Sequence, residues 1–218
     1  MPGGRRTDQI SARDLEVLEF IARFGVVPRS AVATWAATGR AATIARESRL
    51  RKAGLIRVHR SYGAQPLALC TKAGLRASRR DELRIARLSA AVISHDTVVA
   101  TLAARLEREG AELLSEREML AAERAEGARI HSASLGAGRH HRADLIRVDA
   151  QGGGEAIEVE LSTKGAARLD ELLRAWRRAV LDGKVARVAY NCTPRTLRYV
   201  EKAIERTKTG QMISAGLL

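Results

Sequence analysis

The sequence predicts an α+β protein in two parts: a mostly helical domain over residues 1–90 and a sheet-based domain over residues 91–218. Three observations carry this. The chain has 218 residues, 45% of them hydrophobic, enough to build one large core or two smaller ones. Its charge is uneven, with 18 Lys and Arg against 7 Asp and Glu in residues 1–90, and 20 against 18 in the remainder. The apolar period also changes near residue 90, from closely spaced helices to an alternation of strands and helices.

The N-terminal elements follow in order. SARDLEVLEFIARFG opens on Ser11 as an N-cap, repeats apolar residues at Leu15, Leu18, Ile21 and Ala22, and stops at Gly25. VVPRSAVATWAA is a short helix led in by Pro28, and TGRAATIARESRLRKAGLI a third helix, rich in arginine and closed at Gly54. LIRVHR and PLALC read as two strands joined by SYGAQ, whose Gly63 suits a hairpin, and TKAGLRAS returns to helix.

Helix, short helix, basic helix and hairpin in this order resemble a winged helix-turn-helix domain over residues 10–80. The resemblance implies that residues 40–53 enter the major groove of double-stranded DNA. Arg40, Thr43 and Arg46 are then the expected base readers, and Arg49 and Lys52 phosphate contacts or a solvated face. Arg57, Arg60 and Tyr62 are the wing residues that would reach the backbone or minor groove. A net charge of +13, concentrated in this domain, independently points to a polyanionic partner. Arg5 and Arg6 read either as a minor-groove arm or as a basic tail without a role.

In the second domain SHDTVVATLAARLER is an amphipathic helix and AELLSE a short strand. RADLIRV and EAIEVEL are strands joined by QGGG, and GAARLDELLRAWRRAVL is a helix with its stripe at Leu169, Leu172, Leu173, Trp176 and Val180. VARVAYN is a further strand, TPRTLRYVEKAIER a helix and QMISAGL an edge strand. The segment AAERAEGARIHSASLGAGRHH is expected to be a loop. Side chains alternate along a strand, so Glu158 and Glu160 share a face with Ala156, and flanking the turn with residues 149 and 155 sets Asp144 opposite Glu160. Two readings compete for these carboxylates. Either they bind Mg²⁺ or Mn²⁺, Asp144 and Glu158 being the ligands, to hydrolyse a phosphodiester, or they lie on a solvated sheet face paired with Lys164 or Arg168.

The order α-β-β-β-α-β with these acidic residues resembles the PD-(D/E)XK nuclease superfamily. Asp144 matches its aspartate and Glu158 its second acidic residue. Glu160 stands where the family has lysine and Ala143 where it often has proline, and Lys164 is placed to supply the missing ammonium; catalytic residues carried over are thus Asp144, Glu158, Glu160 and Lys164. Glu112 is a weaker acidic candidate. A wider resemblance is to the replication-relaxation family of mobile elements, carried by HRADLIRV followed by IEVELSTKGAARLDELLRAW. It implies DNA binding in replication, mobilisation or transcription control of a plasmid or related element, with a nuclease-like domain of non-catalytic role as the leading expectation and a metal-dependent endonuclease as the alternative. A homodimer and a relaxase or replication protein are the further candidate partners.

Other chemistries find no support. Cys70 and Cys192 lack a CxxC neighbour and read as reduced core residues. His140-His141 is a weak metal candidate, because adjacent residues on an extended chain point opposite ways. QGGGE joins strand to strand and is not followed by Lys-Ser or Lys-Thr, so it is no phosphate loop. Without an export signal or a spanning segment the expected location is cytoplasmic.

Overall fold

A computed structural model describes residues 9–60, 65–129, 131–149 and 154–218. It is a mixed α+β chain of two compact units, Met1–Glu109 and Gly110–Leu218. Among the described residues no helix is long and apolar enough to cross a membrane.

The first unit begins with α1 (Ala12–Phe24), held at its start by a capping box in which Ser11 accepts the Asp14 N–H while the Asp14 carboxylate accepts the Ser11 N–H. A two-residue strand β1 (Val27–Pro28) leads into α2 (Arg29–Ala36), and residues 37–39 turn the chain into α3 (Arg40–Lys52). Ala37 takes a left-handed conformation there, with φ 51°. Strands β2 (Ile56–His59) and β3 (Leu67–Cys70) pair antiparallel, with Val58 opposite Ala68, and β3 is flanked by β1 on its other side. The helix α4 (Lys72–Ala77), capped by Thr71, follows them. Residues 61–64, and with them Tyr62 and Gly63, lie outside the described residues, as do Arg5 and Arg6.

Gly74 on α4 is required by close approach. A Cβ there would stand 2.0 Å from the Leu55 carbonyl oxygen, a backbone atom that cannot swing aside. Gly74→Ala should therefore cost at the upper end of the ~1–3 kcal/mol typical of overpacking, read as a lower denaturation midpoint.

The boundary between the units falls after α5 (Ile93–Arg108), later than the residue-90 division expected from charge. A half-buried anchor near the end of α5 ties that helix to the first unit. The Glu107 carboxylate accepts from Arg23 Nη1 at 2.7 Å and from Trp35 Nε1 at 2.7 Å, binding α5 to α1 and α2.

The second unit is a five-stranded sheet in the order β10-β9-β8-β7-β4. Its elements are β4 (Glu112–Ser115), α6 (Glu116–Glu126), β5 (Ser132–Gly136), β6 (Arg139–Arg142), β7 (Leu145–Val148) and β8 (Gly154–Glu160). They continue as α7 (Ala166–Leu181), β9 (Arg187–Cys192), α8 (Pro194–Thr207) and β10 (Ile213–Leu217). β4, β7 and β8 form an antiparallel meander; β9 joins β8 in parallel across α7, and β10 joins β9 in parallel across α8. The expected loop over residues 121–141 instead contains the end of α6 and the β5–β6 hairpin. Ser115 and Glu118 cap α6 reciprocally, and Met119, Ala133, Leu135 and Ala143 bury their side chains in the core that α7 and α8 cover. That core closes around Leu172, Leu173, Trp176, Val188 and Tyr190. Cys70 and Cys192 are free and buried, burial pushing the Cys192 thiol up to about 11.

Candidate nucleic-acid interface and carboxylate cluster

Helix α3 divides its basic residues between two tasks. Asp14, fully buried on α1, accepts from Arg46 Nε at 3.0 Å and from Arg49 Nη2 at 2.8 Å on one oxygen, and from Arg49 Nε at 3.1 Å on the other. Burial alone would raise this carboxyl. Hydrogen bonds from Arg49, Ser11 and Arg46 outweigh burial and bring it down to about 2. Thr43 is fully buried as well, its hydroxyl donating to the Gly39 carbonyl at 3.1 Å. Neither Thr43 nor Arg46 therefore stands ready to read bases as expected: one bonds back to the carbonyl of its own preceding turn and the other, with Arg49, fastens α3 to α1. A third inward tie is Arg29 to the buried Glu47, at 2.6 Å.

The other cations point outward. Arg40, Arg51 and Lys52 on α3 and Arg57 and Arg60 at β2 are exposed, and among the described residues Arg40, Arg51, Arg57 and Arg60 carry no ion pair. Beside β2, an edge strand, a groove of about 610 Å³ is lined by Arg57, His59 and Arg87 together with apolar Val58, Leu69 and Leu88. Arg51, one of the basic residues of the third helix, and Arg87 are not among the DNA contacts the sequence predicts. The signal for Arg51 is its place in the helical period, one face away from Arg46 and Arg49.

In the second unit β7 and β8 pair with Ile146 opposite Ala156 and Val148 opposite Gly154. The register thus differs from expectation by two residues, and the ladder sets Asp144 beside Glu158, not Glu160. Asp144 Oδ2 accepts the Val159 N–H at 2.7 Å. Glu158 and Glu160 are 4% and 3% exposed, so their face is no solvated one: it lies under α7, with Ala156 and Ile146. β8 is buried on both faces, as a central strand with a parallel neighbour tends to be.

Each buried carboxylate has its own donors. Glu158 Oε1 accepts Trp176 Nε1 at 3.0 Å and is paired with His141 Nε2 at 2.9 Å, the imidazole lying edge-on to the indole. Glu160 pairs with Lys164, whose carbonyl accepts the Tyr199 hydroxyl at 2.6 Å. Burial opposes charge on His141, yet Glu158, by its charge and its hydrogen bond, and Asp144 more than offset this and raise the imidazole above its ordinary 6.5. Burial pushes the Glu158 carboxyl up against the pull of His141. His141, a weak candidate in the sequence, is thus central to the cluster, brought in by the unforeseen β6. His140 Nδ1 is buried without a partner among the described residues and does not join. Glu112 is exposed at the far end of β4, opposite Val148, and Arg168 pairs with Glu171.

Among the described residues no three His, Cys, Asp or Glu side chains are disposed to hold a metal ion. One oxygen of Asp144 and one of Glu158 are taken by protein donors, and the cations facing the cluster are His141 and Lys164. No protein-family model matches the chain, and no curated protein sequence matches it.

Proposed function

We propose that this chain binds double-stranded DNA through a winged helix-turn-helix formed by α1–α4 and the β2–β3 hairpin. α3 would lie in the major groove and β2 against the backbone. The observation that carries the reading is the group of exposed arginines Arg40, Arg51, Arg57 and Arg60, without an ion pair among the described residues, on two consecutive elements of a strongly basic chain. The meander β4-β7-β8 followed by parallel β9 supports reading the second unit as restriction-endonuclease-like. Its carboxylates, engaged by Trp176, His141 and Lys164, favour a non-catalytic role there, such as dimerisation or contact with a relaxase or replication protein. The sequence resemblance to the replication-relaxation family makes a cytoplasmic protein of a mobile element the cellular setting of this reading.

The test is a duplex titration at increasing salt. Affinity should fall with a log–log slope of about −0.9 per phosphate contact, so roughly −4 if Arg40, Arg51, Arg57 and Arg60 all engage. Arg51→Ala should flatten that slope by about 0.9 and weaken random and preferred duplexes alike. Binding that is indifferent to salt would remove the proposal.

A further inference from the structure

With Arg46 and Arg49 drawn onto Asp14 and Thr43 buried, the solvent side of α3 presents a different set of side chains from the one its composition suggests. Ile44 is 39% exposed, with Ala41 and Ala45 open beside it and Ser48 a turn further on. A single exposed isoleucine is ordinary on a protein surface. What distinguishes this one is its surroundings: Arg40 stands one turn before it, and Arg51 and Lys52 two turns after it, all exposed. A surface complementary to that face is anionic at its margins and apolar at its floor. The major groove has this form, with phosphates along both walls and the thymine 5-methyl as an apolar group on the base edges. Guanine readout would call for a bidentate arginine or lysine at the middle of the helix, and the arginines there are committed to Asp14.

We infer that Ile44 is a specificity-determining residue that packs on thymine methyl groups, so that the chain selects sites with A·T pairs under the middle of α3. This rests on the DNA-binding reading above. Arg40 and Arg51 then set the helix on the phosphates, and Ile44 supplies discrimination that charge cannot.

The experiment uses the full chain. A preferred duplex is selected from a randomised library, and its affinity is compared with that of the same duplex carrying uracil for thymine, which removes only the methyl groups. Wild type should bind the uracil duplex about 4- to 15-fold more weakly, the scale of one or two lost methyl contacts. Ile44→Ala should lose a similar factor on the thymine duplex and treat the two duplexes alike, and Ile44→Val should recover part of the difference. Ile44 is exposed, so a thermal melt is expected to show both variants as folded as wild type. Equal wild-type affinity for the two duplexes, or undiminished discrimination in Ile44→Ala, overturns the inference while leaving DNA binding intact. Absence of salt-sensitive binding to any duplex removes both.

Discussion

Asp14→Ala should unfold most of the first unit's population under mild denaturant and abolish the proposed DNA affinity, although Asp14 lies on a helix that would not enter the groove. The carboxylate is fully buried and accepts from Arg46, from both Arg49 donors and from the Ser11 N–H. Removing it leaves two guanidinium groups, 12% and 30% exposed, without their shared acceptor. Breaking a buried ion pair on one side costs about 3–5 kcal/mol. Against a domain stability of roughly 5–15 kcal/mol that is decisive. Arg46→Ala and Arg49→Ala should each cost less, since Asp14 keeps the other arginine. The pH dependence follows from the same group. Its folded value of about 2 lies below the ordinary 3.8, so its stabilisation is present above 3.8 and drains away as the pH falls toward 2. The amount is about 2 kcal/mol, since each tenfold change in proton affinity is worth about 1.4 kcal/mol. Guanidinium melts between pH 5 and 2 should show this loss in the wild type and not in Asp14→Ala; a variant as stable as the wild type would mean the arginines find other partners.

Asp14 also shows where the sequence stops being informative. Ser11, Pro28, Gly25 and Gly54 mark helix boundaries by local chemistry, and those boundaries are legible without any knowledge of the fold. The same passage does not say which way the arginines of α3 turn. Arg40, Arg46, Arg49 and Arg51 are chemically identical, and only the arrival of α1, with one carboxylate at its first turn, separates Arg46 and Arg49 from the outward pair. The β7–β8 register departs from expectation by two residues because a glycine-rich turn accepts several lengths, whereas the antiparallel pairing itself follows from the two apolar runs. Glu158 and Glu160 alternate with apolar residues and read either as a metal site or as a solvated face. What buries them is α7, which brings Trp176 onto Glu158, together with a hairpin whose strand RHHR has no apolar alternation to announce it.

Glu158→Ala should cost the second unit about 3–5 kcal/mol, the largest single-residue effect expected there. The substitution deprives Trp176 Nε1 of its acceptor at a fully buried site, strips His141 of its partner and leaves a void beneath α7. Glu158→Gln keeps the volume and an acceptor for the indole, so its smaller loss isolates the charge. His141 is raised in the fold by Glu158 and Asp144 against its burial and against Lys164, and Glu158 is raised by its burial. Both groups hold a proton more tightly folded than unfolded. Their contribution is therefore complete below the ordinary values of 4.5 and 6.5 and is lost as the pH climbs through the raised ones. The wild type should lose stability on passing from pH 6 to 8, while Glu158→Gln should show a flatter profile and a His141 imidazole titrating at lower pH by NMR. A metal site would behave otherwise: Mn²⁺ would raise the wild-type melting temperature, Glu158→Gln would abolish that rise, and supercoiled DNA would be nicked by the wild type alone. With His141 and Lys164 already facing the carboxylates, Mn²⁺ is expected to shift neither the melt nor the DNA.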